Sequence, residues 1–336
     1  MRALVLHGPG RFTIEPEWPK PEPAPGWARV RVAYSGICGS DLPRFMSTGS
    51  YYHPAVLGHE FAGVVDAPAP GSQRFRGGEP VAVLPIIPCG ECEGCRHYGP
   101  FHCTRYNFLG SRCDGGFAEY CLAPEENLLP MPPEVPLHHG AFAEPLAVAL
   151  HAVRRARFAG GSALVFGAGP IGLLVAAWLR VLDGERVVIA DVRTESLDVA
   201  RRAGLEAVDV RGADLEALPP MDLCVEAAGA GAALRAAIEG VRRQGTIVVV
   251  GRDTADTILP LRSFEALMRK EITLLGCWGY DLSEDRQLLL AALHEGRFPL
   301  DVLVSHRIAL EEAPVMIRAM AQRRVYTCKV MIDLGR

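Results

Sequence analysis

The chain has 336 residues, 49% hydrophobic and 22% charged, with 35 lysines and arginines against 39 acids and a net charge of −4. That length can bury a sizeable core and predicts two domains, while the charge balance gives no basic surface for nucleic acid and no interaction tail. The apolar run at residues 3–6 is too short for a signal peptide and the run at 173–179 too short for a membrane span, so a cytoplasmic protein away from membranes is expected.

From residue 1 to about 136 the texture is short strands, turns and prolines. Residues 28–33 and 117–122 alternate in polarity, and residues 15–26 hold five prolines and read as a stiff connector. This predicts a loop-rich, all-β domain. A helix is predicted over 140–157, followed by β-α units. Their strands (163–166, 187–190, 223–225 and 246–250) are continuously apolar, with helices predicted over 170–182, 195–203 and 232–242. Such strands belong in a parallel sheet covered on both faces, hence a doubly wound α/β fold. After about residue 278 the pattern loosens, with a helix near 284–294 and a final strand at 329–333. The expected organisation is one domain from 1–145 and 279–336 and a second, doubly wound one from 146–278.

Gly167-Ala168-Gly169-Pro170-Ile171-Gly172 lies between the strand ending at Phe166 and the helix opening at Pro170, and Asp191 follows nineteen residues after Gly172. In that context the glycines fit a dinucleotide: Gly167 for the tight turn, Gly169 for approach of the pyrophosphate, Gly172 for close packing of helix on strand. The helix N-terminus offers unpaired N–H groups to the phosphates. Asp191 suits the ribose hydroxyls and favours NAD; Arg193 nearby is the group that would tolerate a 2′-phosphate. Ala228-Gly229 and Gly251-Arg252, at the ends of later strands, are further candidate contacts.

Ten cysteines occur in the chain, four of them within fifteen residues: Cys89, Cys92, Cys95 and Cys103. Four thiolates at that spacing wrap one tetrahedral ion, and a closed set of four is structural. An iron–sulfur cluster uses the same ligands, disulfides are the other alternative, and a DNA-binding zinc module lacks an accompanying basic surface. A second site draws on distant residues: Cys38, His59, Glu60 and Glu144 supply a thiolate, an imidazole and one or two carboxylates, leaving a position open for water or substrate.

These motifs, in this order along the chain, resemble the zinc-containing medium-chain alcohol and polyol dehydrogenases. Gly58-His59-Glu60-x2-Gly63, the four-cysteine lobe and the glycine loop carry the likeness. Cys38-Gly39-Ser40-Asp41 and Glu144-Pro145 point to the polyol branch. Cys38 to Arg44 and Leu109 to Tyr120 point within it to enzymes of polyol phosphates such as galactitol 1-phosphate. The resemblance implies a GroES-like catalytic domain beside the Rossmann domain, two Zn2+ per chain, NAD, and a homodimer or homotetramer. Its reaction is hydride transfer between NAD and a polyol or polyol phosphate; a free-polyol dehydrogenase is the alternative. A zinc-free quinone reductase and a non-enzymatic NAD-binding redox sensor are more remote readings. Where many members carry a proton-relay histidine this chain has Pro43, so Ser40 is the candidate to carry the hydroxyl proton. Tyr51, Tyr52, Trp278 and Tyr280 are candidate substrate contacts, and Arg44 and Arg112 candidate phosphate ligands.

Overall fold

The structure is a computed structural model and describes residues 1–212, 215, 217–252 and 255–335. Two compact units emerge, one of Met1–Glu144, Ser283–Gly296 and Val304–Arg336, the other of Pro145–Leu282 and Arg297–Leu303. The C-terminal tail is thus divided: residues 279–282 and Arg297–Leu303 count with the second unit, whereas the sequence reading gave all of 279–336 to the first.

The first unit contains β1 (Ala3–Gly8), β2 (Arg11–Glu15), β3 (Trp27–Ile37), β4 (Ala55–Val56), β5 (Glu60–Ala67), β6 (Pro80–Val83), β7 (Ile86–Ile87), β8 (Asn107–Phe108), β9 (Tyr120–Pro124) and β10 (Leu128–Pro130). Its main sheet runs β10-β6-β5-β3 and then takes in two C-terminal strands, β18 (Lys329–Asp333) and β17 (Val304–Ala309), with β9 also on β3. Alternation places Ala28, Val30 and Val32 of β3 in the core. The antiparallel register sets Gly36 opposite Glu60, and Ile37 opposite Val330. Strands β3, β5 and β18 thereby bring the residues beside Cys38, His59 and Lys329 to one end of the sheet.

The second unit is a parallel sheet of β11 (Gly161–Phe166), β12 (Gly184–Asp191), β13 (Glu206–Asp209), β14 (Met221–Glu226), β15 (Val241–Val249) and β16 (Thr273–Gly276), ordered β13-β12-β11-β14-β15-β16. Order reverses between β11 and β14, the crevice where such sheets bind nucleotides. Ala163, Leu164, Val165 and Phe166 are buried on both faces. The helix Pro170–Val181 follows β11 directly. Trp178, fully buried on that helix, donates its indole N–H to the Leu146 carbonyl at 3.0 Å. No helix among the described residues is long and apolar enough to cross a membrane.

Candidate active site and nucleotide loop

Cys38, His59 and Glu60 come together in the first unit, with one donor atom from each within 4.8 Å of the others. Each is delivered by the sheet. Cys38 follows β3, and His59 directly precedes β5, which Glu60 opens across the antiparallel register. Gly36 is required here, because a Cβ on it would collide with Glu60 Oε2. Glu144, in the first turn of the helix Ala143–Arg155, is buried beside this group. Its carboxyl is raised to about 7, chiefly by burial, with His59 and Lys329 opposing and Glu60 and Asp41 reinforcing.

Two residues not singled out from the sequence complete the site. Asp41 is fully buried and accepts the Cys38 amide at 3.0 Å, while its other oxygen faces His59 Nδ1 at 3.4 Å. Lys329, at the head of β18, donates to Glu60 Oε2 at 2.5 Å. The pattern Cys-x2-Asp at Cys38 and Asp41, and a lone lysine opening an apolar strand, are the available signals. Neither identifies its partner from sequence alone.

The charges of this group suit a cation. Asp41, Glu60, Glu144 and the Cys38 thiol share one buried lysine. Burial lowers the His59 imidazole, yet Asp41 and Cys38 outweigh it and hold it well above its ordinary value. Its Nδ1 and Asp41 Oδ1 are buried without a hydrogen bond. Buried acids, a thiol and an imidazole with orphaned atoms are the donor set of a divalent metal with an open position, and Zn2+ fits it. Ser40 is exposed and donates its hydroxyl to Cys38 Sγ at 3.2 Å.

The four-cysteine lobe also closes as spaced. Donor sulfurs of Cys89, Cys92, Cys95 and Cys103 all lie within 4.8 Å of one another. Backbone amides of Cys95 and Thr104 pull the Cys92 thiol down to about 5. Removal from water and the sulfurs of Cys103 and Cys92 push Cys95 up to about 12. Four clustered sulfurs resist carrying four charges without a cation among them, and Zn2+ fits here too. None of the ten cysteines is in a disulfide.

In the second unit, the glycine loop separates structural from ligand demands. Gly167 has φ +102°, and a Cβ there would lie 2.7 Å from the Ala228 amide nitrogen. A Cβ at Gly172 would strike the Gly167 carbonyl. These two glycines are required by the protein's own packing. A Cβ at Gly169 would meet nothing within 4 Å, so its smallness serves something outside the chain. Gly169 caps the helix Pro170–Val181 with no side-chain hydrogen bond, leaving the Ile171 end of the helix open to an anion. Asp191 accepts the Ala168 amide at 2.7 Å and the Arg193 amide at 2.8 Å, which fixes its carboxylate beside the loop. Glu226, buried, accepts the amides of Ala228 and Gly229 at 2.9 and 2.8 Å, and a Cβ at Gly251 would strike the Gly229 nitrogen. The turns carrying Ala228 and Gly251 are thus packed together at the carboxyl ends of β14 and β15. A dinucleotide fits this cradle.

Of the candidate substrate residues, Tyr51 and Arg112 meet: the guanidinium lies 4.2 Å from the ring centroid. Tyr52 turns away and bonds Asp114 through its hydroxyl at 2.6 Å, so it is committed to structure. Tyr280 is buried in the second unit, where Trp278 is 62% exposed.

Residues 24–133 match the alcohol dehydrogenase GroES-like domain, and residues 170–295 the zinc-binding dehydrogenase family. The chain is 33% identical over 309 residues to galactitol 1-phosphate 5-dehydrogenase of Escherichia coli K12, covering 88% of this chain and 89% of that one. A crystal structure of galactitol-1-phosphate dehydrogenase from Escherichia coli superposes with a TM-score of 0.91 at 31% identity, over 99% and 100% of the two chains. Sorbitol dehydrogenase of Halalkalibacterium halodurans is 31% identical over 93% of this chain and 94% of its own. A protein described as a short chain alcohol dehydrogenase from Escherichia coli CFT073, solved with NADH, superposes with a TM-score of 0.88 at 28% identity, over 99% of each chain. The chain is an oxidoreductase and belongs to the zinc-containing medium-chain alcohol and polyol dehydrogenases.

Proposed function

We propose that this protein oxidises a secondary hydroxyl of a polyol or polyol phosphate with NAD, giving the ketose or its phosphate, NADH and a proton. The observation that carries this is the buried group Cys38, His59 and Glu60 with Glu144 beside it. Cys38 and His59 hold the catalytic zinc, with a carboxylate from Glu60 or Glu144; Cys89, Cys92, Cys95 and Cys103 hold the structural zinc. Zn2+ in the first set supplies the Lewis acidity that makes a substrate hydroxyl acidic near neutral pH. NAD on the glycine loop supplies the hydride acceptor.

The chain's own residues do the rest. Asp41 fixes Cys38 through its amide and orients His59 electrostatically, as partners of metal ligands do. Lys329 holds the Glu60 carboxylate in place. Pro43 has no proton to relay, and Ser40 Oγ, exposed and beside Cys38 Sγ, passes the hydroxyl proton outward. Asp191 receives the ribose hydroxyls and disfavours a 2′-phosphate.

We infer a cytoplasmic homo-oligomer, a dimer or tetramer, without nucleic-acid or membrane partners. Ten cysteines, none of them in a disulfide, fit a reducing compartment. Among the described residues β16 pairs on one edge only, and a two-fold axis would let that edge pair with its own copy. Leu261, Phe264 and Met268 of the same unit are exposed apolar residues that such a contact would cover.

The test is zinc content with turnover. Wild type should carry two zinc per chain and reduce NAD with a member of a polyol and polyol-phosphate panel. His59→Ala should lose one zinc and turnover while keeping NADH affinity, since metal donors and glycine loop lie on different units. Activity within a few-fold of wild type would remove His59 from the metal.

A further inference from the structure

The first unit holds a second electrostatic feature next to the metal donors. The Arg112 guanidinium lies against two aromatic rings, 4.2 Å from the Tyr51 centroid and 4.4 Å from that of Tyr106. Arg44 approaches the same Tyr51 ring at 5.2 Å. Among the described residues neither arginine pairs with a carboxylate. The acids nearest them in sequence are committed elsewhere: Asp114 to the Tyr52 hydroxyl and the Val56 amide, Asp41 to the Cys38 amide and His59. Arg112 Nε is buried without a hydrogen-bond partner, so this cation is partly desolvated and uncompensated. Tyr51, between the two, is 60% exposed. Its partial burial raises the phenol, but the two guanidinium groups outweigh that and lower it.

Both arginines are tied to the metal site through the backbone. Arg44 begins one turn after the Cys38-Gly39-Ser40-Asp41 turn, at the start of Arg44–Thr48. The Arg112 amide donates to the Phe108 carbonyl at 2.9 Å, and the Phe108 ring lies 5.6 Å from that of His59. Ser50 Oγ donates to the Ser111 carbonyl at 2.7 Å, joining the Tyr51 segment to the Arg112 turn. The ring contacts hold the guanidinium in place while no carboxylate among the described residues takes its N–H groups, and a planar fork matches phosphate oxygens.

We propose that Arg44, Tyr51 and Arg112 form the subsite for the phosphate of a polyol phosphate, making the phosphorylated polyol the substrate of this enzyme. The inference rests on the reading of Cys38, His59 and their carboxylate as the catalytic metal set. Arg112 and Arg44 bind the dianion, and Tyr51, which both guanidinium groups approach, donates its hydroxyl.

The experiment measures kcat/KM with NAD for a panel of hexitol 1-phosphates, galactitol 1-phosphate included, and the matching free hexitols. Wild type, Arg112→Met, Arg112→Lys and Arg44→Met are compared. Inorganic phosphate is titrated into each protein by calorimetry, a readout independent of turnover. Wild type is expected to favour a phosphorylated hexitol. Arg112→Met should lower the ratio of phosphorylated to free efficiency by about ten- to a hundredfold, mostly in KM, and weaken phosphate binding similarly. Arg112→Lys, which keeps the charge and loses the fork, should fall between and guards against a folding defect. A free hexitol as the better wild-type substrate, or a ratio unmoved in all three variants, overturns the subsite and leaves the polyol reading intact. If no hexitol or hexitol phosphate is oxidised, the polyol reading falls. Saturable phosphate binding lost in Arg112→Met then still supports an anion site there, and its absence overturns that as well.

Discussion

Replacing Lys329 by methionine probes what holds the metal donors in position. Lys329 and Glu60 come from strands 269 residues apart, and their side chains are 4% and 2% exposed. Methionine keeps most of the volume and removes the charge, so Glu60 is left among Asp41 and Glu144 with no cation of its own. Removing one partner of a buried pair costs about 3–5 kcal/mol. For a domain of 150–250 residues that lowers the melting temperature by about 6–20 °C. Burial lowers the Lys329 ammonium, but Glu60 and Cys38 outweigh it and hold it above its ordinary value. A raised basic group contributes fully below its unfolded value, so the effect is complete at neutral pH and fades only as alkaline pH passes the folded value.

The assay is thermal denaturation by circular dichroism of wild type, Lys329→Met, Glu60→Gln and the double variant. The double variant should recover at least half the loss, because the orphaned charge is gone. Zinc adds a second reading. If Glu60 faces the ion, bound zinc compensates the missing ammonium and the loss shrinks in zinc-saturated protein. If only Glu144 faces it, the loss is unchanged. A single variant melting within about 2 °C of wild type, or a double variant below both singles, would refute the reasoning.

Cys95→Ser should lower the melting temperature and zinc per chain, since three thiolates hold the ion poorly; full zinc with an unchanged melt would count against a structural site. Asp191→Ala should narrow the preference for NAD by removing ribose hydrogen bonds and the repulsion of a 2′-phosphate; a wild type already better with NADP would point to Arg193 instead. Asp222 is held down at about 2 by Arg242 and then by the Ser162 amide and hydroxyl. A depressed carboxylate contributes above its unfolded value and loses that as pH falls through the folded one. Asp222→Asn should therefore melt below wild type at pH 7, with the gap closing between about pH 4 and 2. A gap equal at pH 7 and pH 2 would exclude this.

What could be read from the sequence tracks how local its cause is. The four inner strands of the second unit are apolar on both faces, and each was visible as a run. Its two outer strands, β13 and β16, passed unnoticed: Glu206 is exposed, and so are Thr273 and Leu274, so neither shows a continuous apolar stretch. The four-cysteine lobe is local and its spacing is sufficient. Cys38, His59 and Glu144 are ordinary residues until the resemblance joins them, because the end of β3, the start of β5 and Glu144 come together only in the fold. Asp41 and Lys329 depend on partners fixed by tertiary structure, the latter across nearly the whole chain. Tyr51 and Tyr52 look equivalent as letters. In the fold one is exposed against two arginines and the other bonds Asp114.

The same tertiary placement explains why a phosphate needs its own cations here. Asp41, Glu60, Glu144 and the Cys38 thiol face a single lysine, and a metal dication serves to balance them. A substrate dianion brought beside that set meets negative donors as well as the metal. At an effective dielectric of about 20, two unit charges about 8 Å apart interact by about 2 kcal/mol. Each donor left uncompensated at that range would oppose a phosphorylated substrate by about tenfold or more per unit charge. In the proposed subsite Arg44 and Arg112 answer this with charges that no carboxylate among the described residues has claimed. A free polyol carries no charge to be repelled and gains nothing from them. On the proposed subsite, discrimination between the two substrates falls on the arginines and not on the metal donors.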